Sequence, residues 1–362
     1  MIRLPGLIDP HVHLREPGAI HKEDYDSGTA SALAGGVTMV LAMPNTKPPI
    51  FDADTLDLAL QAASQKARCD YAQYLGAGPD NADVVASLAP RAAALKMYLD
   101  STFGQLRLDD MSLWMEHFRK WPGETPIVTH SESHAMGAAI LMAHLYDKPI
   151  HIAHISLREE VLLIKAAKER GVQVTCEVCP HHLFLSSGGI PLSPAGDDCC
   201  ADGLSAGRAE VRPRLATRAD VESLWENLDV IDCFATDHAP HTSLEKDGES
   251  PPPGFPGLET LLPLLLTAVQ EGRLTLEQLL EKSVVNPGRI FNLPVQPETW
   301  VEVDEKARYE IKSAELHSRC GWTPFEGWQV QGRVTRVVLR GREAYKDGRV
   351  LVEPGFGRNV RG

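Results

Sequence analysis

The chain has 362 residues, 43% of them hydrophobic and 6% aromatic, and a formal net charge of −13. That length buries one large core, and α/β barrels commonly run this long as a single domain. No Lys/Arg-rich run offers nucleic acid a footprint, no apolar stretch is long enough to span a membrane, and no basic-then-apolar leader opens the chain. An anionic substrate would need local positive charge, from arginines or metals, to overcome the global field. The seven cysteines are odd in number and scattered, which points to a reducing, cytoplasmic compartment without structural disulfides.

In chain order, strand-like apolar runs cover Leu7–His13, Val37–Met43, Tyr71–Gly76, Leu95–Leu99, Ile127–His130, Ile150–His154, Val172–Glu177 and Val230–Asp237. Helical patterns fall between most of them, at Asp52–Lys66, Asp109–Trp121, Glu132–Tyr146, Arg158–Arg170 and Arg218–Asn227. Buried strands alternating with helices give a parallel sheet. Eight repeats predict an α/β fold of the (β/α)8 TIM-like barrel type, which takes roughly 250 residues. Residues 1–293 supply the barrel. Ser186–Gly207, rich in Gly, Ser, Pro and Asp, reads as a long loop between the last two strands, and 251–257 as a stiff loop after the eighth. Residues 294–362 read as a small β-rich C-terminal extension packed on the barrel, with strands Arg333–Leu339 and Arg349–Leu351 around the turn Lys346-Asp347-Gly348. The chain starts almost directly on its first barrel strand, so it reads as one domain of a longer polypeptide.

The strand ends carry the chemistry. His11 and His13 alternate on one face at the C-terminal end of the first strand, where barrel active sites sit. The fifth strand ends in His130, the sixth in His154 and the eighth in Asp237. This donor set suits zinc better than a solvated strand face would. Lys96 lies in the apolar run Ala93–Leu99. A buried ammonium is costly, and a neutral amine can take up carbon dioxide as a carbamate, whose oxygens bridge two metals. Taken alone, Lys96 reads as a snorkelling lysine; beside four histidines and an aspartate, it reads as the bridge. Asp237 is then both ligand and proton carrier. Arg15 and Asn45 lie beyond the first and second strands, and His241 beyond the eighth, as donors for a carboxylate or a ureido edge. His151 has opposite parity to His154 and is expected to face the barrel–helix layer. A zinc-finger reading of Cys176-x-x-Cys179 with His181 and His182 is set aside, because no second pair has suitable spacing.

Asp9-x-His11-x-His13-Leu14-Arg15-x-Pro17-Gly18 resembles the opening signature of the dihydroorotases, within the amidohydrolase superfamily. Ala42-Met43-Pro44-Asn45-Thr46 and Ala235-Thr236-Asp237-His238-Ala239-Pro240-His241 match two further signatures. Agreement continues through His21–Asp24, Cys176–Phe184, Pro251–Thr260 and Trp322–Gly327, over nearly the whole chain. It is strongest with the dihydroorotase domains that animals fuse to carbamoyl-phosphate synthetase and aspartate transcarbamoylase.

The resemblance implies reversible cyclisation of N-carbamoyl-L-aspartate to L-dihydroorotate in de novo pyrimidine biosynthesis, by a homodimer fused to or associated with those two other activities. It implies two zinc ions bridged by N6-carboxylated Lys96 and hydroxide. His11, His13, Lys96 and Asp237 would hold one ion, and Lys96, His130 and His154 the other. Arg15, Asn45, Arg212, His241 and the backbone at Pro253 and Gly254 would hold the substrate. Thr102 and Phe103 match a mobile loop that closes over the site. A third zinc would use Glu177 and a cysteine, but Ala153 stands at the cysteine's position. The rivals are another cyclic amidase, a hydantoinase or allantoinase, and a non-catalytic dihydroorotase-like scaffold. Arg15 with Asn45 and His241 argues against the first, and the complete ligand set against the second.

Overall fold

The computed structural model describes residues 1–101, 106–187 and 204–362. Its centre is a closed ring of parallel strands: Leu7–Val12, Val37–Ala42, Asp70–Gln73 continued by Leu75–Gly76, Leu95–Tyr98, Ile127–His130, Ile150–Ile152, Val174–Val178 and Cys233–Phe234. Val37–Ala42 is buried at every position, as a strand covered on both faces must be. The third strand is interrupted at Tyr74, whose N–H donates to Ala42 (2.9 Å) while that of Leu75 donates to Ala94 (3.1 Å), so one break joins two sheets. At the other seam the His13 N–H donates to the His238 carbonyl at 2.7 Å and Val12 bridges His238.

The expected helices are present as Ala53–Lys66, Met111–Lys120, Ser133–Tyr146, Arg158–Glu169 and Arg218–Glu226. Asp52 and Thr217 cap two of them, each accepting from the backbone N–H three residues on. Helices Tyr25–Ala34, Ala82–Leu88 and Leu261–Gln270 were not expected. Nearly every residue of Leu261–Gln270 is buried, so it lacks the polar face that sequence periodicity detects.

The eighth strand is Cys233–Phe234, far shorter than the expected Val230–Asp237. The backbone leaves strand geometry before Asp237, which has φ +45°. His151 is also corrected. It faces the barrel interior, with Nε2 at 3.1 Å from Glu177 Oε2 and its ring 5.2 Å from that of Phe291. Alternation does not carry from 151 to 154, because the strand ends at Ile152 and His154 has φ +37°.

The appended sheet has the order Ile2–Pro5, Trp300–Glu310, Gln329–Leu339, Arg342–Lys346, Arg349–Val350, all antiparallel. Its first strand comes from the N-terminus, which the division at 293/294 had put with the barrel. Asp347 and Gly348, at φ +46° and +82°, form the two-residue turn before the last strand. The C-terminal tail then returns to the barrel, where the Val360 N–H donates to the Tyr71 carbonyl at 2.9 Å.

Candidate metal centre and adjoining cavity

Asp9 sets the frame of the site. Its carboxylate accepts from the His11 N–H (3.1 Å), the Thr236 N–H (3.2 Å) and the Thr236 hydroxyl (2.5 Å), tying the first strand to the eighth. Burial pushes its carboxyl up to about 7 even so.

This frame brings His11, His13 and Asp237 together. The His11 and His13 Nε2 atoms lie 3.2 and 2.9 Å from Asp237 Oδ1. His13 Nδ1 donates to Asn45 Oδ1 at 2.7 Å, and His11 Nδ1 contacts Glu177 Oε1. Each ring thus spends its δ proton on an outer acceptor and turns a bare Nε2 towards one carboxylate oxygen. Burial lowers His13 to about 4, so a proton on that ring does not fill the gap. Three electron-pair donors converging on one point, buried and mutually repulsive without a cation, fit a bound metal ion.

His130 and His154 stand beside them. Their rings are 4.6 Å apart, His130 Nδ1 is 2.8 Å from His154 Nε2, and the His154 ring is 5.3 Å from that of His11. The remaining nitrogens, His130 Nε2 and His154 Nδ1, have no hydrogen-bond partner among the described residues, and His130 Nε2 lies 3.8 Å from Glu132 Oε1. Burial, reinforced by neighbouring positive groups, lowers His130 to about 3 and His154 well below its ordinary value. Lys96 Nζ is fully buried, has no partner among the described residues, and lies 5.3 Å from the Tyr98 ring. Burial outweighs the pull of Glu177 and Asp237 and lowers the amine to about 8.

Next to this group lies a small open cavity, lined by His13, Arg15, Asn45, Arg212, Asp237, Ala239, Pro253 and Gly254. Arg15, at φ +59°, donates from Nε to the Pro240 carbonyl at 3.0 Å, and its Nη2 is 3.0 Å from His241 Nε2. Lys22 Nζ donates to His241 Nδ1 (2.9 Å), which leaves the Nε2 proton for the Pro253 carbonyl at 3.0 Å. Burial and the flanking cations hold His241 far below its ordinary range. Gly254 has φ +140°, and a Cβ there would come within 2.5 Å of the Ala239 carbonyl, so only glycine lets this loop approach. Arg212 lines the cavity but also pairs with Glu210.

Glu177 is engaged on both oxygens, by His11 and by His151. With Ala153 offering no donor, these residues do not fit a third metal ion. Thr102 and Phe103 lie outside the described residues, as does most of the Ser186–Gly207 loop. Asp9, Lys22 and Lys246 were given no role from sequence. Lys246 is buried and donates to the carbonyls of Glu210 (2.7 Å) and Pro252 (2.9 Å), the supports of two cavity-lining segments. Only its place just beyond the eighth strand could have marked it.

The amidohydrolase family profile matches residues 2–296. The chain is 57% identical over 361 residues to the multifunctional protein CAD of Squalus acanthias, covering all of this chain and 16% of that protein. It spans the same small share of the first curated relatives it matches. It is 36% identical over 384 residues to a dihydroorotase of Pyrococcus abyssi, covering 99% of this chain and 87% of that one. Among solved structures, the inactive dihydroorotase-like domain of a Chaetomium thermophilum CAD-like multifunctional protein superposes with a TM-score of 0.82 at 28% identity, over 99% of both chains. The chain therefore belongs to the amidohydrolase family and, within it, to the dihydroorotases.

Proposed function

We propose that this chain is a zinc-dependent dihydroorotase, interconverting N-carbamoyl-L-aspartate and L-dihydroorotate in de novo pyrimidine synthesis. The observation that carries the reading is the meeting of His11, His13 and Asp237 with Lys96, His130 and His154 beside a cavity lined by two arginines. In this reading His11, His13, Asp237 and carboxylated Lys96 hold one zinc, and Lys96, His130 and His154 the other. Bound zinc supplies a Lewis acid for the ring carbonyl and an acidified water.

The chain's own groups do the rest. Arg15 presents a guanidinium to the substrate carboxylate. Asn45 keeps His13 in register through Oδ1 and offers its amide donor to the ureido edge. Arg212, His241 and the Pro253–Gly254 backbone close the remaining sides. In hydrolysis a water oxygen bonds to the ring amide carbon, the C–N bond breaks, and Asp237 carries the water's proton to the departing nitrogen. In cyclisation the ureido nitrogen bonds to the side-chain carboxyl carbon, Asp237 carries the nitrogen's proton to the departing carboxyl oxygen, the C–O bond breaks, and with one further proton from solvent that oxygen leaves as water.

The likeness to a domain described as inactive favours a second reading, a non-catalytic scaffold. Turnover separates the two. Purified protein should hold zinc and act on dihydroorotate, but not on hydantoin or allantoin. Protein that binds no zinc and turns over none of the three would be the scaffold. We also propose a homodimer, fusion to carbamoyl-phosphate synthetase and aspartate transcarbamoylase domains as in the multifunctional relatives, and a cytoplasmic location. Among the described residues, no helix is long and apolar enough to cross a membrane.

A further inference from the structure

A second group of donors converges where the short helix Pro180–Phe184 begins. Cys179 Sγ, a ring nitrogen of His181 and a ring nitrogen of His182 lie within 4.8 Å of one another, and all three residues are buried. The His182 tautomer is set by its surroundings: Nε2 donates to the Pro213 carbonyl at 3.1 Å, so Nδ1 carries the lone pair. That Nδ1 has no partner among the described residues, and neither has His181 Nε2. Buried polar atoms normally find partners, and two unmatched imidazole nitrogens beside a thiol call for an electrophile. Cys176, the other half of the Cys-x-x-Cys spacing, is not part of this group; its Sγ faces the Val230 carbonyl at 3.6 Å.

We infer that Cys179, His181 and His182 form a metal site for a thiolate-binding ion such as zinc, with no ligand in common with the His11–His13–Asp237 group. One sulfur and two imidazoles make a donor set that zinc accepts readily. As the ion binds, the Sγ–H bond breaks, its proton leaves to water, and the Sγ–metal bond forms. The ion's charge then offsets that of the buried thiolate. A backbone carbonyl behind the ring is a usual outer partner of a metal-bound histidine, and Pro213 supplies it. The site would thus brace the segment 211–213, which carries Arg212 to the cavity.

The test is zinc-edge X-ray absorption on the wild-type chain after dialysis against zinc. A sulfur scatterer at ~2.3 Å is expected beside nitrogen and oxygen at ~2.0–2.1 Å. The proposed catalytic centre has no sulfur donor, so its loading does not affect this readout. Cys179→Ala should lose the sulfur shell and one equivalent of bound zinc relative to wild type, while Cys176→Ala keeps both. An all-nitrogen-and-oxygen shell in wild type overturns the site, as does unchanged zinc content in Cys179→Ala. Should that variant fail to fold, the wild-type spectrum decides alone.

Discussion

Asp9 accepts both the backbone N–H and the hydroxyl of Thr236, 227 positions away, and this pair sets where Asp237 stands. Asp9→Ala removes three acceptor contacts and strands two buried N–H groups. It should destabilise the fold by about 3 kcal/mol, on the scale of unsatisfied buried donors, and remove most activity. Asp9→Asn keeps an acceptor for the N–H groups. It should lose less than about 1.5 kcal/mol, the scale of a single hydrogen bond, yet still slow turnover, because Asp237 shifts. Urea denaturation alongside initial rates checks both. Equal stability loss in the two variants would remove the positioning argument.

Lys96 must be neutral to take up carbon dioxide, and its amine is lowered to about 8 by burial. The neutral fraction therefore grows as pH rises through about 8. At a fixed concentration of dissolved carbon dioxide, reactivation of chelator-stripped enzyme by zinc should quicken about tenfold between pH 7 and pH 9, following that fraction. Lys96→Arg cannot form the carbamate, and should show neither reactivation nor more than a trace of turnover. A reactivation rate that is flat with pH and insensitive to bicarbonate would refute the carbamate.

What the sequence made legible was whatever strand alternation transmits. His11 and His13 share a face because a strand puts them there, and His130 closes its own strand. Alternation stopped helping where the backbone turns left-handed. His154, Asp237 and Arg15 all have positive φ, so the eighth strand was drawn too long and His151 was placed on the wrong side. Arg212 and the Pro253–Gly254 loop came from the family resemblance alone, and the cavity brings them next to Arg15. Nothing local in Ile2–Pro5 says that it will pair with Trp300–Glu310, some three hundred residues on.

Arg15 is held by its backbone conformation and by the Pro240 carbonyl, and its Nη2 lies against His241. Arg15→Lys retains the charge but loses the planar fork that matches a carboxylate. The expected result is a KM raised by about tenfold or more, corresponding to ~1.4 kcal/mol of binding, with a smaller change in kcat. Steady-state kinetics in both reaction directions would show it. An unchanged KM would mean that the substrate carboxylate goes elsewhere, with Arg212 the first residue to examine.

Lys246 makes the most demanding case, because it touches no reacting group. Its ammonium sits in the core against Phe255 and Trp322 and joins the Glu210 carbonyl to that of Pro252. Glu210 also accepts from the Gly254 N–H at 3.1 Å, so one cation organises both loops that border the cavity. Lys246→Met fills the same space, leaves the Pro252 carbonyl without its donor and leaves the Glu210 carbonyl with the Gly254 N–H alone. It should cost about 1–3 kcal/mol, at the scale of one stranded buried acceptor. Since neither Asp237 nor the histidine cluster is touched, zinc content should hold while KM rises. Zinc loss in step with activity would instead show that the variant had lost the barrel as a whole, and that Lys246 serves stability rather than the shape of the cavity.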